Sequence, residues 1–128
     1  MTLRIVRLGT ARHAREGTRI GTVRRPPRGV RKQDYAKKNW YDVWFPELAP
    51  SLPLMKKALA AETATEWNAF VRGFKHEMAA PGARRSLDLL AALSHSGDFS
   101  VGCYCADESR CHRSVLRELL AARGAVLG

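Results

Sequence analysis

The chain has 128 residues, 45% of them hydrophobic and 27% charged, and a formal net charge of +10. That is enough chain for one domain, 1–128, with a packed core, in a composition ordinary for a globular protein. No apolar run is long enough to cross a bilayer, and Met1-Thr2-Leu3-Arg4 lacks the apolar stretch of a secretory signal, so the expectation is a cytoplasmic protein with no membrane partner.

Leu3 to Leu8, bounded by Gly9, reads as a first strand. Residues 9–34 are rich in Gly, Pro, Arg and Thr and read as a long basic loop with a short strand at Ile20 to Val23. Pro26-Pro27-Arg28-Gly29 must be irregular, because proline fixes φ and removes a donor. Residues 1–40 carry twelve Lys or Arg against Glu16 and Asp34, whereas residues 41–128 are balanced at ten and ten. The whole positive excess therefore lies in the first third. It either attracts a polyanion or a phosphorylated small molecule, with Arg24, Arg25 and Arg28 as the candidate residues, or is a solvated basic face.

Trp40 to Pro46 is the aromatic center of the chain. It reads as aromatics buried against the sheet, or as Tyr41 or Trp44 lining a pocket that stacks a planar ligand. Ser51 can cap a helix to about Ala61, with Pro53 in its first turn. Thr63-Ala64-Thr65-Glu66 has the form of a capping box, and Trp67, Phe70, Val71, Phe74 and Met78 then mark one apolar helical face. Pro81-Gly82 ends that helix. A third helix over 84–95 turns Leu87, Leu90, Ala91 and Leu93 inward. Phe99 to Tyr104 reads as a central strand. Ser109 is placed to cap a last helix with Leu116, Leu119 and Leu120 inside and Gly124 at its C′ position. This order predicts a single α/β domain, a small mostly parallel sheet flanked by about four helices, with the two main strands parallel.

All three cysteines fall in the run Cys103-Tyr104-Cys105-Ala106-Asp107-Glu108-Ser109-Arg110-Cys111-His112-Arg113. Three readings are open. In the first, Cys105 lies at the carboxyl end of a strand and Cys111 in the first turn of the next helix, where the dipole and nearby Arg110 and Arg113 lower a thiol pKa. The Cys105-x4-Arg110 spacing equals the anion-cradling loop of rhodanese-like sulfurtransferases and is one residue short of the phosphatase loop. Asp107 and Glu108, however, would repel an anion there. In the second, Cys103, Cys105, Cys111 and His112 hold zinc, although adjacent Cys111 and His112 would diverge by about 100° on a helix. In the third, the cysteines are small core residues.

Together with Trp44-Phe45-Pro46-Glu47-Leu48-Ala49-Pro50-Ser51, Trp67-Asn68-Ala69-Phe70 and Arg28-Gly29-Val30, this run resembles the DUF488 family, and its cysteine-bearing branch in particular. The resemblance covers Ile20 to Leu120. It implies a compact α/β domain and supplies no substrate. On the residues themselves, the first expectation is an enzyme-like domain acting on a phosphate-bearing or nucleic-acid substrate. Cys105 or Cys111 would be the nucleophile, His112 the base, and Arg110 or Arg113 the charge stabilizer. The second is a non-catalytic basic module that binds nucleic acid, its cysteines structural or zinc-binding.

Overall fold

The computed structural model describes residues 1–128, and its sheet is built around the most deeply buried strand. Strands β1 (Leu3–Arg7), β2 (Thr18–Gly21), β3 (Val43–Trp44) and β4 (Phe99–Cys103) are all parallel, in the order β1-β4-β2-β3. Helices α1 (Leu52–Ala60), α2 (Ala64–Met78), α3 (Pro81–Leu93) and α4 (His112–Ala122) complete a single α/β domain. Every residue of β4 is buried. It pairs with β1 from Leu3 opposite Phe99 to Arg7 opposite Cys103, and with β2 from Thr18 opposite Phe99 to Gly21 opposite Gly102. A parallel strand covered on both faces must be apolar or small throughout, and Phe-Ser-Val-Gly-Cys meets that demand.

The pleat decides what covers each face. Phe99 and Val101 join Leu3, Phe70, Phe74, Leu87 and Leu116 in the main core under the helices. Ser100 and Gly102 face the other way, where the cover is the segment after β1. A Cβ on Gly102 would stand 2.6 Å from Leu8 Cδ2 and 2.8 Å from the Val6 carbonyl oxygen, so only glycine lets that segment close down. Ser100 Oγ donates to Glu16 Oε2 at 2.8 Å.

Arg19, opposite Ser100 in the register, completes this second layer and is 0% exposed. Its Nε and Nη2 donate to the two Glu16 oxygens, and Nη1 donates to the carbonyls of Thr10 (2.9 Å) and Asn39 (2.7 Å). Burial pushes the Glu16 carboxyl up. Hydrogen bonds from Arg19, Ser100 and the His13 amide, with the Arg19 charge, outweigh it and hold the group down at about 2. A buried ion pair thus anchors the stretch that reads from sequence as a basic loop. Arg12 is likewise committed, to Asp42 at 2.8 and 3.1 Å.

The helices follow their local signals with four corrections. Ser51 stands at the N-cap of α1, but its side chain makes no capping hydrogen bond. The capping box forms, with Thr63 Oγ1 accepting from the Glu66 amide at 3.1 Å, and Phe70, Phe74 and Met78 are buried. Pro81 opens α3 rather than merely ending α2, because a first-turn proline has no N–H to leave unpaired. Leu93 is 44% exposed, since it lies about 120° round the helix from Leu87, off the buried stripe. Ser109 does not cap α4. Its amide and hydroxyl both bond Asp107 Oδ1 in a 3-10 turn over Glu108–Arg110, and Cys111 becomes the N-cap. Gly124, at φ +79°, follows α4 in the left-handed conformation expected of it. No helix is long and apolar enough to cross a membrane.

Candidate active site

Parallel strands bring their carboxyl ends to one edge, and the segments after β1, β2 and β4 meet there. They enclose an open groove of about 1090 Å³. Cys103, Cys105, Cys111 and His112 line it. So do Arg24, Arg25 and Arg28 from the segment after β2, Arg7 from the end of β1, and Arg110 before α4. The basic segment and the cysteine run are therefore neighbors, and no Asp or Glu lines the groove. The Tyr104 hydroxyl, between two of the cysteines, donates to the Arg25 carbonyl at 2.8 Å and ties the two segments together. Arg24 is braced by donating to the carbonyls of Pro50 (3.0 Å) and Ala49 (2.8 Å). Arg110 stands 5.6 Å over the Trp67 ring.

The two aromatic candidates part company. Trp44 lines the groove and is 45% exposed, held by its indole N–H donating to the Val23 carbonyl at 2.8 Å. Tyr41 is buried outside the groove. Its ring lies where a Cβ on Gly21 would meet it at 2.4 Å, and its hydroxyl has no partner. Arg113 is also outside the groove and only 4% exposed. Its Nη2 donates to the Cys105 carbonyl at 2.6 Å, its Nε has no hydrogen-bond partner, and it forms no ion pair with a carboxylate. It braces the cysteine segment and does not line the groove.

All three thiols are free. Cys103 Sγ and Cys105 Sγ are 3.9 Å apart, and Cys111 Sγ is 3.9 Å from His112 Nδ1. Cys103 and Cys111 are buried, whereas Cys105 is half-exposed. Hydrogen bonds from Cys103 and Cys111 hold the Cys105 thiol far below its ordinary value, with the Arg113 charge adding to them against burial. The same contacts push Cys103 up. Cys111 is lowered by the hydrogen bond from Cys103 and by His112. The cluster thus favors the ionized form at Cys105 and Cys111, of which Cys105 is the more accessible.

His112 Nε2 lies 2.6 Å from the Thr22 carbonyl, and since a carbonyl only accepts, that nitrogen carries the proton. Nδ1 is left to face Cys111. The ring also packs edge-on against Phe74, centroids 5.5 Å apart. The divergence expected of adjacent Cys111 and His112 does not arise, because Cys111 is extended (φ −129°, ψ 150°) rather than helical. Cys103, Cys111 and His112 place their ligand atoms within 4.8 Å of one another, close enough to bind a metal. Cys105 stands outside that set.

Part of the backbone that a rhodanese-like anion cradle would use between Cys105 and Arg110 is already engaged. The amides of Ser109, Arg110 and Cys111 are bonded within the turn, to Asp107 Oδ1, the Asp107 carbonyl and the Glu108 carbonyl. Glu108 is pinned in turn by two bonds from Arg117, at 2.7 and 2.9 Å. The positive charge of the groove comes instead from arginine side chains in its lining. The sequence reading passes over Arg7, Thr22 and Tyr104. Arg7 ends a strand at the ligand-binding edge and was open to detection there, whereas the Thr22 contribution is a backbone carbonyl with no sequence signal.

Fold and site together define a small parallel α/β domain with a cysteine-histidine cluster at the carboxyl edge of its sheet. The family model DUF488-N3a, described as the active DUF488-N3 subclade, matches residues 3–124, and the chain belongs to that family. Comparison with curated proteins and with solved structures gave no match.

Proposed function

We propose that this protein is a thiol-dependent enzyme acting on a phosphate-bearing substrate, with Cys105 as its nucleophile. The observation that carries the reading is Arg113. Arg113 is buried with no carboxylate in direct contact; the charges of Asp107 and Glu108 reach it at longer range, and a Cys105 thiolate beside it adds a further negative partner. The thiolate is half-exposed in a groove whose charged lining is all arginine. In the step proposed, the Cys105 sulfur bonds to an electrophilic atom of the substrate. The bond to the leaving group breaks, and that group departs with the electron pair. Water then cleaves the sulfur adduct, its hydroxyl passing to the substrate fragment and its proton to the leaving group, so the thiolate is restored. Arg24, Arg25, Arg28 and Arg110 hold the phosphate, and Arg113 and Cys103 keep the sulfur ionized. The description of the subclade as active agrees with this reading. Its test is protection. Saturating inorganic pyrophosphate should slow alkylation of Cys105 by iodoacetamide, and an unchanged rate would separate the groove from the thiol chemistry.

A second reading rests on a different observation, the mutual approach of Cys103, Cys111 and His112. The His112 Nε2–H bond to the Thr22 carbonyl is the outer-shell contact that orients a metal-binding imidazole. Two thiolates and an imidazole suit zinc, with Cys105 facing the groove beside it. Bound there, zinc would supply Lewis-acid polarization. Protein purified under reducing conditions without chelator should then carry about one zinc per chain. Metal-free protein with full iodoacetamide reactivity would reject this reading.

A further inference from the structure

We infer that the groove takes a single strand of nucleic acid, with a base stacked on Trp44 and the sugar-phosphate backbone running along the arginines. This rests on the reading of the groove as the substrate site and narrows it. Three observations select the strand. The first is size. At about 1090 Å³ the groove stands at the upper end of the range for ligand sites, so a mononucleotide does not fill it. The second is charge. Arg7, Arg25 and Arg110 come from three separate chain segments, and no carboxylate interrupts them. With Arg24 and Arg28 they give the groove five positive charges and no negative one, more than a single phosphate neutralizes. The third is Trp44, a large aromatic left 45% exposed on the groove wall. Its indole N–H is fixed to the Val23 carbonyl at 2.8 Å, so its ring is already held in place when a base arrives. A basic groove with a fixed aromatic is the arrangement that binds single strands through backbone charge and base stacking. Duplex DNA or RNA keeps its bases stacked on one another and offers none to Trp44.

The test is equilibrium binding by fluorescence anisotropy. The probes are a labeled oligothymidylate of about eight nucleotides, its uridylate counterpart, the duplex form, and thymidine monophosphate as competitor. At least one single strand should bind, and the log-log salt slope should show the release of several counterions. Trp44→Ala should weaken binding roughly tenfold or more, while Trp44→Phe keeps a stacking face and most of the affinity. Arg25→Ala with Arg28→Ala should weaken it further and reduce the salt slope by about 1.4. Arg84→Ala with Arg85→Ala removes the same charge from exposed positions outside the groove and should cost far less. The inference is overturned if neither strand binds at low salt, or if the duplex or the monophosphate binds as tightly. It is also overturned if the Arg84/Arg85 pair matters as much as the Arg25/Arg28 pair, or if Trp44→Ala has no effect. Binding without a reactive Cys105 would leave this inference standing and reject the enzyme reading. A reactive Cys105 without strand binding would do the reverse.

Discussion

Replacing Arg19 by methionine should test how the groove wall is held. The variant keeps much of the side-chain volume and deletes the charge. It leaves the Glu16 carboxylate buried with only Ser100 and the His13 amide as donors, and it frees the Thr10 and Asn39 carbonyls. Removing one member of a buried ion pair costs about 3–5 kcal/mol. The carboxyl gives a second route to the same figure. Its fall from 4.5 to about 2 corresponds to about 3 kcal/mol of stability. Because this pKa is lowered on folding, the folded protein binds fewer protons than the unfolded chain. The contribution is therefore fully present above about pH 4.5 and is lost as pH falls toward 2. Urea denaturation across pH 2 to 7 reads both effects. Glu16 should account for about 3 kcal/mol of the wild-type loss through that acid window. Arg19→Met should lose about 3–5 kcal/mol at pH 7. Glu16→Gln should remove that share of the acid dependence and leave the smaller part due to Asp42, Asp98, Asp107 and Glu108, whose carboxyls are also held low. A loss below about 1 kcal/mol in Arg19→Met, well short of the cost of breaking a buried pair, would refute the reasoning. So would an acid curve for Glu16→Gln parallel to wild type.

Arg113→Met should raise the Cys105 pKa and so move upward the pH at which its alkylation rate levels off, while Arg113→Lys, which keeps the charge, should fall between. Site-resolved mass spectrometry with a melting curve separates this from unfolding. Gly21→Ala places a Cβ 2.4 Å from the Tyr41 ring and should cost about 1–3 kcal/mol by overpacking, read as a lowered Tm.

Much of the fold was legible because local and global signals agree. The capping box at Thr63, the Phe70-Phe74-Met78 face and Gly124 each report a local geometry that the tertiary structure keeps. The parallel pairing of the first and last strands followed from their helical crossover. The short strand β2 was read two residues late, and β3, only two residues long, gives too little pattern to detect. Ser109 misled because the cap rule ranks residue types but cannot see that Asp107 accepts the Ser109 amide and hydroxyl and draws the residue into a 3-10 turn before the helix. Arg19 and Glu16 were invisible as core residues, since charged side chains are rarely buried unless paired and the pairing is tertiary. The meeting of Arg24, Arg25 and Arg28 with Cys105 depends on β2 lying beside β4, a choice of strand order that no residue in either segment announces.

The central claim is that Cys105 is a thiolate at neutral pH because Cys103, Cys111 and the buried Arg113 stabilize it there. Its most direct test is the pH dependence of iodoacetamide alkylation, resolved cysteine by cysteine in the native protein. The account predicts that Cys105 reacts first and that its rate levels off well below the ordinary thiol value of about 8.5. Cys103 and Cys111 should stay protected by burial. Equal and slow alkylation of all three, or a Cys105 profile that still rises through pH 8.5, would contradict it.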